Sequence, residues 1–175
     1  MAMPPRLRKF ALTAHVTSSV GWLGAVAGFL ALAVAGLTSR DAQIVRATYV
    51  VMDLTGWFVL GPLCVASVLT GLVSSLGTTW GLFRQYWVML KVLMTIPSTI
   101  LLLVHLQPIS YIAGVAAETT LSSADLRGLR IQIVVESAAA LLVLLVATAL
   151  SVYKPKGLTR YGWRKQREQR ALSQP

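Results

Sequence analysis

Four long apolar stretches constrain the fold of this chain more than any other feature of its sequence. They cover residues 10–37, 49–75, 86–106 and 130–153. Each is long enough to cross a bilayer, which takes roughly 20 helical residues. The apolar residues run on without alternating with polar ones, and this favours helices over the strands of a membrane barrel. The sequence therefore predicts an all-α bundle of four transmembrane helices.

The composition excludes most other classes of protein. Hydrophobic residues make up 55% of the 175 residues and charged residues only 13%, whereas soluble proteins carry about 25% charged residues. Disordered proteins, disulfide-rich secreted scaffolds and ordinary cytosolic enzymes do not have this composition. Because no charged linker or low-complexity region divides the chain, we expect residues 1–175 to form a single integral membrane domain with a basic tail over residues 154–175.

The net charge of +10 would suggest nucleic-acid binding in a soluble protein, but here it indicates orientation. Eleven Lys and Arg residues lie in the N-terminal segment, the second loop and the C-terminal tail, and four lie in or beside the other two loops. Cytoplasmic segments carry the basic excess, so we predict that both termini face the cytoplasm. The tail holds seven of the eleven, and we expect it to rest on anionic lipid headgroups and not to bind nucleic acid.

A cleaved signal peptide is an alternative interpretation of the first stretch. A basic start precedes the apolar run, and Ala33, Val34 and Ala35 resemble a cleavage site. The run is longer than a signal core and is interrupted by His15 and three hydroxyl residues, so we favour a retained helix.

Glycine and proline residues within the stretches bear on helix packing. Gly24 and Gly28 have the small-xxx-small spacing that brings two helix backbones together, which predicts either internal packing or a homodimer. Pro62 and Pro97 lie near the middle of the second and third stretches. Each removes a backbone donor, and the resulting bend either shapes the bundle or makes room for a ligand.

Five ionisable residues inside the apolar stretches are candidates for function, because such groups are costly in a membrane. At a rise of about 1.5 Å per residue, His15 and Lys91 lie near the inner boundary, and Asp53, His105 and Glu136 lie in the outer half. The two histidines are then about 20 Å apart along the membrane normal, too far to bind one haem iron.

The inner group includes two tryptophans. Trp22 shares the helical face of His15 together with Ser18 and Ser19, and Trp87 lies one turn from Lys91. The alternative is a structural role: Lys91 could extend to the headgroups, and His15 could be a packing residue.

The outer group of His105, Asp53 and Glu136 could bind a divalent metal or relay protons. Structural alternatives also exist here. Asp53 could pair with Arg46, His105 could end its helix beside Gln107 and Pro108, and Glu136 could pair with Arg130 or with His105.

Several short motifs carry a resemblance to known families. They are His15 with Gly21-Trp22-Leu23-Gly24, Tyr86-Trp87 with Lys91, and Tyr153-Lys154-Pro155-Lys156-Gly157. Over nearly its whole length the chain resembles an uncharacterised family of small four-helix bacterial integral membrane proteins. More distantly, it is similar to the J-type protoporphyrinogen oxidases and to the membrane domain of copper-resistance D-type proteins.

The J-type enzymes are haem b proteins that oxidise a porphyrin precursor. The resemblance to them implies that His15 is a haem ligand and that Lys91 meets carboxylates of the substrate or the haem. We therefore expect Trp22 and Trp87 beside a cofactor in the bacterial cytoplasmic (inner) membrane.

Three functions are compatible with the sequence. The first is a haem-associated or redox-active membrane protein that uses His15 and Lys91. The second is a metal- or proton-handling protein that uses the outer group. The third is a structural or assembly subunit in which the polar residues only pack.

Overall fold

The computed structural model describes residues 3–76, 85–118, 126–155 and 157–172, and nearly all of them are helical. The helices are α1 (Pro5–Thr38), α2 (Ala42–Thr55), α3 (Gly61–Leu76), α4 (Tyr86–Glu118), α5 (Arg127–Tyr153) and α6 (Arg160–Leu172). A π-helical turn, Gly56–Leu60, joins α2 to α3.

Four helical segments are long and apolar enough to cross a membrane, as the sequence predicts. They are Pro5–Thr38, Ala42–Leu76, Tyr86–Ala116 and Arg127–Tyr153. Only 17–28% of the most apolar window of each segment is buried inside the structure. The remaining apolar surface faces outward, where contact with water would cost about 25 cal/mol per Å². A lipid environment removes that cost.

The core of the bundle includes side chains from α1, so the first stretch is an integral part of the fold. Trp22, Val26, Phe29 and Ala33 of α1 are all buried, and they pack into one cluster with Tyr49 and other residues of α2 to α5. A cleaved signal peptide would remove this part of the core.

α4 is longer than the predicted third helix, which ends at residue 106. It continues through Pro108 to Glu118, although a proline removes one backbone hydrogen bond. The extension carries a buried stripe at helical spacing, formed by Ile109, Ile112, Ala113 and Ala116. Burial of this stripe outweighs the single lost hydrogen bond, and Ser110 of the extension donates a hydrogen bond to Asp53 of α2.

The π-helical turn marks a change of helix partners. The amide of Gly61 donates to the carbonyl of Gly56, five residues earlier, just before Pro62. A Cβ at Gly56 would lie 2.8 Å from a methyl group of Leu106, so α4 approaches closely at this point. On one side of the turn α2 packs against α4, and on the other side α3 packs mainly against α1. α3 and α4 therefore diverge toward one end of the bundle.

The predicted basic tail contains α6. The chain leaves α5 at Lys154, which adopts a left-handed conformation with φ 42°. Leu158 then forms an antiparallel bridge with Gln85, at the start of α4. These contacts fix the start of α6 at the end of the bundle where α4 begins and α5 ends.

Gly24 and Gly28 point away from the bundle. A Cβ at either position would have no neighbouring atom within 4 Å among the described residues, whereas a Cβ at Gly21 would meet Leu63 at 3.3 Å. The Gly24–Gly28 spacing is therefore not used for packing in the described part of the chain, and the homodimer stays a prediction.

Candidate functional site

A cavity of about 870 Å³ lies where α3 and α4 diverge, and all four spanning segments contribute to its wall. His15, Trp22, Trp87 and Lys91 all line it. The structure therefore brings together, on one cavity, the four residues that the sequence nominates for cofactor binding. They come from two helices, α1 and α4, whose starts lie at the same end of the bundle.

The cavity wall is apolar with a basic end. Its charged residues are Arg8, Lys9, Lys91 and Lys154, and none of the described residues that line it is acidic. Most other wall positions are aliphatic or aromatic. A wall of this kind suits a bulky apolar molecule that carries negative charge at one end, because apolar surface and paired charge both gain from leaving water.

One nitrogen of the His15 imidazole is fixed by α3. Its Nδ1 lies 3.1 Å from the backbone oxygen of Ser67, 3.3 Å from Oγ1 of Thr70 and 3.4 Å from Oγ of Ser19. A backbone carbonyl only accepts hydrogen bonds, so Nδ1 carries the proton and donates to Ser67. In the neutral imidazole Nε2 then has the lone pair, and no hydrogen bond to Nε2 occurs within the described residues.

The absence of a side chain at Gly71 creates the space for the imidazole. A Cβ at this position would lie 2.9 Å from Cε1, 3.3 Å from Nδ1 and 3.6 Å from Nε2 of His15. Real Cβ atoms are essentially never as close as the first of these distances. The histidine therefore lies directly against the α3 backbone, in a position that only glycine permits without a shift.

Sequence reasoning does not identify Ser67 or Gly71 as contacts of His15. The signal for both is helical spacing, because Ser67 and Gly71 are four residues apart and share a face with Thr70. A small residue on a polar helical face, at the depth of a half-buried histidine, indicates such a contact.

Lys91 is held at the cavity wall. Its Nζ donates to Oγ of Ser151 on α5 at 3.0 Å and lies 4.6 Å from the centroid of the Trp87 ring. An ammonium group has three N–H donors, and Ser151 accepts only one of these hydrogen bonds. The side chain is thus held beside the cavity by a hydrogen bond and a cation–π contact.

Two residues that line the cavity have buried donor atoms with no hydrogen-bond acceptor among the described residues. They are Nε1 of Trp22, whose residue is 2% exposed, and Oγ of Ser74. An unpaired buried donor costs about 1–3 kcal/mol, and native proteins contain few of them.

Two of the three residues of the outer group, His105 and Glu136, form a separate cluster between α4 and α5. Nε2 of His105 lies 2.9 Å from Oε1 of Glu136, and Nδ1 donates to the backbone oxygen of Leu101 at 2.7 Å. Gln132 donates to the same carboxylate oxygen at 2.7 Å. Of the two partners that the sequence offers for Glu136, the structure selects His105.

Arg130 has different partners. Its Nε donates to the hydroxyl of Tyr49 at 3.0 Å, and its Nη2 donates to the backbone oxygen of Gly36 near the end of α1. Tyr49 is completely buried. Arg130 therefore joins three helices at one end of the bundle.

Asp53 makes a third polar contact. It accepts a hydrogen bond of 2.5 Å from Ser110, which also accepts one of 3.0 Å from the indole of Trp57. The alternative pairing with Arg46 does not form.

Across the described ranges, no group of three or more His, Cys, Asp or Glu residues could hold a metal ion. A divalent metal on Asp53, His105 and Glu136 stays a hypothesis without an assembled ligand set.

The two histidines belong to different ends of the bundle. His105 and Lys91 are both on α4, and 14 residues separate them, which corresponds to about 21 Å. Since Lys91 lines the same cavity as His15, this separation agrees with the predicted depths.

Comparison with protein-family models, curated proteins and solved structures finds no match for this chain. The resemblance to four-helix bacterial membrane proteins and to the J-type enzymes therefore remains a hypothesis drawn from the motifs.

Proposed function

We propose that the chain is a multi-pass protein of the bacterial cytoplasmic membrane, with both termini inside. The excess of Lys and Arg around the N-terminal segment, the second loop and the tail supports this orientation. The basic end of the cavity then lies at the level of the inner headgroups. This orientation predicts that a label attached to either terminus is accessible only from the cytoplasm.

We propose further that the cavity binds haem b and that the protein is haem-associated or redox-active. His15 would hold the iron through Nε2, and Lys91 would pair with a propionate carboxylate. Trp22 and Trp87 form part of the apolar wall. The observation that carries this proposal is that His15, whose Nδ1 is held by Ser67, lines a cavity with apolar walls and a basic end.

The surroundings of the His15 imidazole fit this cofactor. Gly71 allows the imidazole ring to be fixed before any ligand binds, and Ser67 sets its tautomer. A neutral imidazole with a hydrogen-bonded Nδ1 is the usual form of a metal-binding histidine. Haem supplies one-electron redox chemistry, and its axial ligand and surroundings tune the potential. The chain's own residues orient the cofactor, balance its carboxylate charge and exclude water.

The absorption spectrum of the purified protein tests whether His15 binds the haem iron. Protein expressed with supplemented haem should show a Soret band that His15→Ala removes. The chain has only two histidines, so His105→Ala is a matched control that should keep the band. A colourless wild-type preparation, or a band lost equally in both variants, would contradict the proposal.

A comparison of haem with haem dimethyl ester tests whether Lys91 binds a carboxylate of the cofactor. Lys91→Gln should weaken binding of haem, which carries carboxylates, by about tenfold or more, since a lost charged hydrogen bond is worth about 1.5–3 kcal/mol. The same variant should bind haem dimethyl ester as well as the wild type does. Equal weakening for both molecules would mean that Lys91 acts through the shape of the cavity and not through carboxylate pairing.

The outer cluster supports a second candidate function, which is proton or metal handling. The supporting observation is the contact of 2.9 Å between His105 and Glu136. Titration of the wild type and of Glu136→Gln with a divalent metal distinguishes this candidate, because loss of the carboxylate charge should weaken a cation site. If substitutions of the cavity residues His15 and Lys91 and of the outer residues His105 and Glu136 all leave ligand binding unchanged, the third candidate, a structural or assembly subunit, is favoured.

A further inference from the structure

α6 carries a basic and aromatic surface at the same end of the bundle as the cavity. Its 13 residues include five Lys and Arg and one Glu. Tyr161 and Trp163 are 45% and 53% exposed, and the guanidinium of Arg164 lies 5.8 Å from the centroid of the Tyr161 ring. Arg160 and Arg167 are exposed as well.

The start of α6 is held close to the spanning helices. Only six residues separate it from the end of α5. Within this connection, the backbone oxygen of Gly157 accepts a hydrogen bond of 3.3 Å from the amide of Tyr86, and Leu158 bridges Gln85. The hydroxyl of Thr159 accepts from the amide of Gly162 and caps the helix at 3.0 Å. α6 therefore starts at the level where α4 begins and α5 ends.

We propose that α6 is an interfacial helix that docks on anionic phospholipid headgroups of the leaflet at this end of the bundle. Basic side chains near such a leaflet are attracted to it, and exposed tyrosine and tryptophan rings favour the headgroup level. The helix itself is too polar to cross the membrane, and its position brings the leaflet within reach. The docking does not depend on haem binding, because it uses none of the cavity residues that hold the cofactor.

Lipid binding by charge-matched variants of the full-length protein tests this docking. The first variant combines Arg160→Gln with Arg167→Gln on α6. The control combines Arg40→Gln with Arg46→Gln, two exposed residues in or beside the loop between α1 and α2. Both proteins lose the same charge. Phosphatidylglycerol and phosphatidylcholine are titrated into each detergent-purified protein, and the bound lipids are counted by native mass spectrometry.

We expect the α6 variant to bind phosphatidylglycerol about 30-fold more weakly than the wild type, since each basic residue near the surface contributes about fivefold. The control and the binding of phosphatidylcholine should change little. Equal phosphatidylglycerol binding by the α6 variant and the control would overturn the proposal.

A second measurement keeps the proposal testable if the variant folds poorly. Wild-type protein labelled with fluorotryptophan is placed in nanodiscs, and Trp163→Phe assigns the resonance of Trp163. That resonance should shift when phosphatidylglycerol replaces phosphatidylcholine, and high salt should reduce the shift. A resonance that responds to a short RNA but not to phosphatidylglycerol would assign the surface to nucleic acid and refute lipid docking.

Discussion

Replacement of Gly71 by alanine is the sharpest structural perturbation of the His15 site. The new methyl group would lie 2.9 Å from Cε1 of the imidazole, so the ring must move away from α3. Its Nδ1 would then lose the hydrogen bond to Ser67 and the contacts with Thr70 and Ser19. Nε2 would move with the ring and leave the position from which we propose that it binds iron.

The size of the effect follows from two opposing contributions. Alanine is about 1 kcal/mol more favourable than glycine within a helix. Against this, each lost hydrogen bond costs about 1 kcal/mol, and the overpacked ring costs about 1–3 kcal/mol. Gly24→Ala is the matched control, because a Cβ there meets no described atom within 4 Å. We expect Gly71→Ala to be less stable than Gly24→Ala by about 2–4 kcal/mol.

Two assays on the detergent-solubilised variants measure these effects. Unfolding followed by circular dichroism gives the stability difference, and titration with haem gives the affinity. Gly71→Ala should bind haem at least about tenfold more weakly, which corresponds to about 1.4 kcal/mol, and Gly24→Ala should match the wild type. If both variants unfold and bind haem alike, the contact between Gly71 and His15 does not organise the site.

Three further substitutions test other parts of the structure. Trp22→Phe removes a buried N–H that has no acceptor among the described residues; it should leave the unfolding midpoint nearly unchanged and weaken haem binding measured by titration. Arg130→Met removes the donor to the buried hydroxyl of Tyr49 and should lower the free energy of unfolding by about 2–4 kcal/mol, so a neutral denaturation curve would contradict this role. Glu136→Gln removes the carboxylate beside His105 and should cost about 1–3 kcal/mol; a thermal midpoint equal to that of the wild type would mean that the pair contributes no stability.

The extent of the fold that could be predicted differs from element to element. The spanning segments follow from hydropathy and length, and the structure has them close to the predicted positions. The extension of α4 past Pro108 could not be predicted, because the proline is a local stop signal that only the packing of Ile109 and Ile112 outweighs. The helix α6 was also not predicted, because its polar sequence has no apolar stretch. Gly157 and Leu158, just before α6, contact the start of α4 and hold the beginning of the helix in place.

The candidate site was predictable in part. Position along a helix is enough to place His15 and Lys91 at a similar depth. It does not give their rotation about the helix axes, on which a shared cavity depends. Neither the contact of His15 with Gly71 nor that of Lys91 with Ser151 is visible in the chain, because more than 50 residues separate the partners in each case.

The amino-acid sequence by itself determined that this is a four-helix chain suited to a membrane, because hydropathy adds up along a continuous segment and the bilayer sets the length that is needed. Only the tertiary structure decided which polar groups meet. The π-helical turn at Gly56–Leu60 separates α3 from α4 and leaves the cavity, while α2 and α4 stay close. Such contacts depend on the rotation and register of whole helices, which are set by packing across the bundle and by no single segment.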